Sequence, residues 1–146
     1  MKRQKTARRL LLALLVLGVG VSAVWLTAAT FAPTTHGLIL QTASHSGTAA
    51  AGNRNEAAVL VSVYNEAGPI RGVPAGSFSV VIVASPDGTD PVKKTGVSEP
   101  VSGVYRIGLA PELSNHRWTG GRYVIAITFT SANGSGVALA SLDIPR

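Results

Sequence analysis

The chain contains no cysteine in its 146 residues. A disulfide framework, a thiolate metal centre and a cysteine nucleophile are therefore excluded, as is a lipid anchor joined through cysteine. Charge is also scarce. Asp, Glu, Lys and Arg make up 14% of the residues and aromatics 5%, whereas 46% are hydrophobic and 16 are Gly. That balance describes a folded β domain with an apolar leader better than a disordered chain. Acidic residues number only seven against 13 basic ones, for a net charge of +6. The excess is local, because Lys2, Arg3, Lys5, Arg8 and Arg9 lie ahead of the first leucine run and the remainder is close to neutral. No basic stripe with interleaved aromatics follows Leu10, so nucleic acid is not an expected partner.

The first residues, "MKRQKTARRLLLALLVLGVGVSAVWLTAATFAPTT", have the anatomy of an export signal. A cationic segment precedes the uncharged run Leu10–Ala32, and the positive end is expected to stay cytoplasmic while the rest crosses the membrane. Gly18 and Gly20 loosen a helix, and small residues ending at Ala23 ("VSA") or Ala29 ("TAA") suit cleavage. At ~1.5 Å per residue the same run is long enough to cross a hydrocarbon core of ~30 Å, and Trp25 then falls near the outer interface. Residues 1–32 are thus read as a signal peptide or a retained membrane anchor, contacting the membrane through residues 10–32 in the second case. Arg8-Arg9 also resembles the pair of a twin-arginine signal, with alanine before it.

Residues 33–55 are rich in Thr, Ser, Ala and Gly and read as a flexible spacer, although "HGLILQ" has the makings of a short strand. From Glu56 the period becomes two. Ala57–Tyr64 places Val59, Val61 and Val63 on one face. Ser77–Ser85 is apolar on both faces, which predicts a central strand. "PDGTDP" is a turn, and "KKTGVSEPVSG" reads as a short edge strand guarded by its lysines and Pro100. Gly103–Pro111 and Arg122–Ser131 alternate cleanly, with Tyr123, Ile125, Ile127 and Phe129 sharing a face. Asn133-Gly134 between alternating runs signals a hairpin. The last run, Val137–Ile144, mixes its faces, which suggests a bulge near Ala140-Ser141. Six or so short strands without an amphipathic helix predict an all-β sandwich or small barrel over residues 56–146, and the sandwich is favoured because the two strongest strands each have one clearly apolar face.

Little in this chain points to chemistry. His36, His45 and His116 have no partner at metal-ligand spacing. A Ser/His/Asp triad assembled from His116 and Asp143 has no G-x-S-x-G elbow to support it, and no phosphate-binding glycine loop occurs. No cofactor and no enzymatic activity are expected. Asp87 and Asp90 in the "PDGTD" turn supply oxygens of the kind Ca²⁺ uses, and equally they are turn formers. The loop "SNHRWTGGRY" holds the most suggestive group. His116, Arg117, Trp118 and Arg122 are candidate contacts to a sugar ring or a protein partner. The competing reading has Trp118 closing the end of the core.

The strings "VSVYNEAGPIRGVPAGSFSV", "GVYRIGLAP" and "WTGGRYVIAITFT" together resemble bacterial immunoglobulin-like and transthyretin-like modules of exported envelope proteins. The likeness extends over Ala57–Pro145. It implies an immunoglobulin-like antiparallel sandwich, preceded here by the hydrophobic signal or anchor helix. It further implies adhesion, spacing or assembly at the cell envelope through a protein partner, without catalysis. The antibody-type cysteine pair of such domains is missing. The alternative expectation is a carbohydrate- or calcium-binding module using the Trp118 loop or the Asp87/Asp90 turn.

Overall fold

The computed structural model describes residues 37–132 and 134–146. The expected leader, His36 and Asn133 lie outside the described residues. Eight strands follow in chain order: β1 (Ile39–His45), β2 (Ala57–Asn65), β3 (Gly68–Pro69), β4 (Phe78–Ala84), β5 (Val92–Val101), β6 (Val104–Pro111), β7 (Gly121–Ser131) and β8 (Gly134–Ile144). A 3-10 turn at Ala75–Ser77 leads into β4. No helix among the described residues is long and apolar enough to cross a membrane.

The strands form two antiparallel sheets. One has the order β1-β2-β6-β5, with the short β3 extending the ladder of β2, and the other has the order β4-β7-β8. The period-two pattern explains the division of faces. Val59, Val61 and Val63 of β2 join Tyr105, Ile107 and Leu109 of β6 in the core, opposite Tyr123, Ile125, Ile127 and Phe129 of β7. The rings of Phe78 and Tyr105, one from each sheet, have centroids 4.9 Å apart, so the inner faces meet in one apolar core. Tyr105 keeps its hydroxyl satisfied at the core edge: it donates to the Ile70 carbonyl (2.8 Å) and accepts from the Val73 N–H (3.2 Å). Burial pushes that phenol above its ordinary pKa.

Three expectations are corrected. The stretch expected as a flexible spacer belongs to the fold from Leu38 onward. β1 pairs with β2 over its full length, Ile39 opposite Tyr64 and His45 opposite Ala58. The chain that follows β1 is tied down by Asn53, whose Oδ1 accepts from the Ala50 and Asn55 amides while its Nδ2 donates to the Thr48 carbonyl. Polar side chains there bond to backbone, and composition alone does not distinguish that use from solvation. Second, β4 is not a central strand. It ends its sheet, and Val81 and Val83 are 57% and 60% exposed. Third, β8 has no bulge. Its register against β7 is unbroken from Gly121↔Ile144 to Ser131↔Gly134. Its faces look mixed because Val137 and Leu139 point outward, while Gly136 faces inward where the Leu40 side chain comes close.

The C-terminal hairpin itself is present, with Gly134 at φ +126° as the first residue of β8. The run expected as a short edge strand is an edge but not short: β5 extends over 10 residues and carries register shifts between Lys94 and Gly96 and between Ser98 and Val101.

Candidate functional site

The loop 112–120 carries the chain from β6 across to β7, and so between the two sheets. Several of its residues hold that crossing in place. Trp118 is 2% exposed. Its indole N–H donates to the Asn55 carbonyl (2.7 Å), its backbone N–H to the Asn53 carbonyl (2.9 Å), and its carbonyl accepts from the Gly52 N–H (2.9 Å). Its ring stands edge-on to Tyr123 at 5.4 Å. The hydroxyl of Tyr123 then turns back on the loop, donating to the Thr119 carbonyl (2.9 Å) and accepting from the Thr119 N–H (3.2 Å). Trp118 therefore caps the core, and its ring has no face free to stack on a ligand.

The other loop candidates do not converge. His116 Nδ1 accepts from the Leu113 amide (3.3 Å), which in the neutral ring leaves the proton on Nε2. Arg117 donates through Nη1 to the Ser114 and His116 carbonyls, both at 2.8 Å. Arg122 lies on the outer face of β7 and forms a two-pronged pair with Asp143 directly opposite on β8, at 2.9 and 3.1 Å. Hydrogen bonding to Arg122 holds the Asp143 carboxyl below the usual carboxylate range, and the same contact raises Arg122. Asp90, one of the two turn carboxylates, has one oxygen engaged. Its Oδ2 accepts from the Arg117 backbone N–H (2.8 Å) and so ties the β4–β5 turn to the crossing loop. No group of three acidic or histidine side chains placed to hold a metal occurs among the described residues.

Two further clusters emerge from the sheets. On the outer face of the larger sheet, Glu56 receives Arg106 Nη2 (2.6 Å) and the Thr95 hydroxyl (2.5 Å). These donors, Thr95 foremost, lower the Glu56 pKa. The carboxylate lies over Gly108, where a Cβ would come within 2.5 Å of Glu56 Oε2. A carboxylate held ionised by two donors on an open face makes a poor proton shuttle near neutral pH. Glu99 acts similarly between loops: it accepts from the Gly103 N–H (2.8 Å) and the Gly72 N–H (2.9 Å), and those two bonds lower its pKa.

The second cluster is apolar. The register sets Val81, Ala126 and Leu139 side by side across the outer face of the smaller sheet, with Val137 in the next row. Val81, Val83, Val137 and Leu139 are each more than half exposed. Reading β4 as central hid this face, since an apolar outer side then needs no explanation. The readable signal was the pair Val137 and Leu139, which alternate with small residues instead of joining them.

No protein-family model, no curated protein and no solved structure matches the chain.

Proposed function

We propose that this chain is an exported, non-enzymatic immunoglobulin-like domain, a structural or protein-interaction module at the cell envelope, tethered or released. Strand order supports the fold assignment. The sheets β1-β2-β6-β5 and β4-β7-β8 correspond to the A-B-E-D and C-F-G sheets of a constant-type immunoglobulin sandwich. Tyr123, near the start of β7 with its hydroxyl bonded back to Thr119, stands where such domains carry their tyrosine corner. The buried tryptophan departs from that pattern, since Trp118 precedes β7 instead of lying on β4. Export is supported by the composition of residues 1–32. The absence of catalysis is supported by the structural use of the polar loop residues: His116, Arg117 and Asp90 bond to backbone, and Arg122 pairs with Asp143.

The observation that carries the interaction role is the exposed apolar outer face of the β4-β7-β8 sheet. Isolated exposed hydrophobics are ordinary, but a contiguous row across three strands marks a contact surface. A photo-crosslinking residue placed at Val137 of the full chain in its native envelope is expected to form discrete protein adducts. The same probe at Ser98, on the outer face of the other sheet, is expected to form none. No adduct at Val137, or equal labelling at both positions, would reject the interaction reading.

A further inference from the structure

We propose that β4 pairs edge to edge with β4 of a second copy of this chain, antiparallel and centred on Val81, joining two three-stranded sheets into one of six. This pairing rests on reading the domain as an interaction module.

The two sheet paths end in four strands; two of these close on each other and a third is guarded. β1 and β8 close on each other: Thr42 Oγ1 donates to the Leu139 carbonyl at 2.7 Å, and the Ser44 hydroxyl donates to the Ser141 carbonyl. β5 carries Lys93, Lys94, Glu99, Pro100 and two register shifts, the devices that keep an edge from accepting another strand. β4, "FSVVIVA", has neither charge nor proline, and its one irregularity falls late, between Ile82 and Ala84. Lys94 covers only its first carbonyl, with Nζ 2.6 Å from the Phe78 oxygen.

The backbone directions define the pairing. The Leu139 carbonyl turns toward Thr42, away from β7. Opposed residues in an antiparallel ladder face each other or turn away together, and successive residues alternate. The register Leu139↔Ala126 and Ala126↔Val81 therefore turns the Val81 backbone toward β7 and the Val80 and Ile82 backbones outward. The Phe78 carbonyl, of the same parity, does point outward, to Lys94. A dyad at Val81 sets Val80 opposite Ile82 of the second copy, and Ile82 opposite its Val80. Each pair exchanges two N–H···O bonds. Val81 then meets its own counterpart on the outer face, at the ~4.5 Å Cα spacing of a non-hydrogen-bonded pair.

The occupant is a second copy because the strand suits its own reverse. Val80-Val81-Ile82 is β-branched throughout and close to palindromic about Val81, and no charge opposes itself across the dyad. The apolar row Leu139, Ala126, Val81 continues unbroken into the partner. A charged peptide finds no complement along Ser79–Ala84. The opposite edge of this sheet is already occupied, with Leu38 and Leu40 beside Gly136 of β8.

The chain's lack of cysteine makes the test direct. In the full chain, Val81→Cys under mild oxidant is expected to give a disulfide-linked dimer as the main band, because the dyad spacing lies within disulfide reach. Val137→Cys, on the same face and 65% exposed against 57% for Val81, is expected to give no disulfide-linked band. No link at Val81, or equal linking at both, overturns the pairing. Val81→Lys and Val81→Glu, each with an unchanged far-UV spectrum, are expected to sediment as monomers where the unsubstituted chain is a dimer. Mixed one to one, they are expected to dimerise again. Variants that remain dimeric alone, or a mixture that stays monomeric, overturn it. A monomeric chain whose Val137 probe still captures another protein overturns the edge pairing and leaves the interaction module standing.

Discussion

Removing one oxygen from the core tests how the crossing loop is held. Tyr123→Phe keeps the fully buried ring and its edge contact with Trp118, and deletes the hydroxyl that donates to the Thr119 carbonyl and accepts from its N–H. Each intramolecular hydrogen bond is worth about 1 kcal/mol net. Thr119 is half-buried, so water takes up part of the lost bonding, and the expected cost is about 1–2 kcal/mol. For a domain near 100 residues that lowers the thermal midpoint by about 4–8 °C. Urea unfolding of the full chain, followed by far-UV circular dichroism, measures it as a fall in midpoint with an unchanged slope. Thr119→Ala is the control. Both bonds reach its backbone, so its effect is expected within about 0.5 kcal/mol. A loss below about 0.3 kcal/mol for Tyr123→Phe would refute the pinning role. A loss above about 4 kcal/mol would also refute it, because one hydroxyl does not cost that much without repacking of the ring.

Trp118→Ala is expected to cost about 3–5 kcal/mol, the range for emptying a buried aromatic site. A variant of unchanged stability would return Trp118 to the contact residues. Gly103 sits at φ +74°, where a Cβ would come within 2.4 Å of Pro69 Cβ. Gly103→Ala is expected to cost about 2–4 kcal/mol through left-handed backbone strain and the clash with a rigid ring, and unchanged thermal unfolding would contradict that geometry. Glu56 has a folded pKa below the ordinary glutamate value. Its contribution is fully present above that ordinary value and is lost as pH falls through the lower folded one. Glu56→Gln is therefore expected to flatten the acid limb of a stability-pH curve and leave its shape above the ordinary value unaltered. The effect is expected to be small because the pair with Arg106 is partly solvated, and an acid limb as steep as in the unsubstituted chain would show that this carboxylate is not linked to folding.

β2 and β7 were legible because a pleated chain with one covered face must alternate, and the inward residues Val59–Val63 and Tyr123–Phe129 do so without exception. The C-terminal hairpin was legible for a related reason, since Gly134 tolerates the positive φ that its position requires. The candidate contacts were less so. An exposed ligand platform and a core cap both call for tryptophan beside glycine, and only the burial of Trp118 separates them.

What the residues determined by themselves is local: period, turn chemistry, the uncharged run at residues 10–32 and the absence of thiol chemistry. Which strand ends a sheet is a long-range matter. "SFSVVIVAS" has apolar side chains on both faces whether a neighbour covers its outer edge or not, and its partner β7 lies some forty residues away in the chain. The same holds for residues 39–55, whose small polar side chains suit solvent and backbone alike until β2 and the Trp118 loop are brought beside them. The tertiary structure decided both, because pairing and burial depend on what the fold places opposite a segment and not on the segment alone.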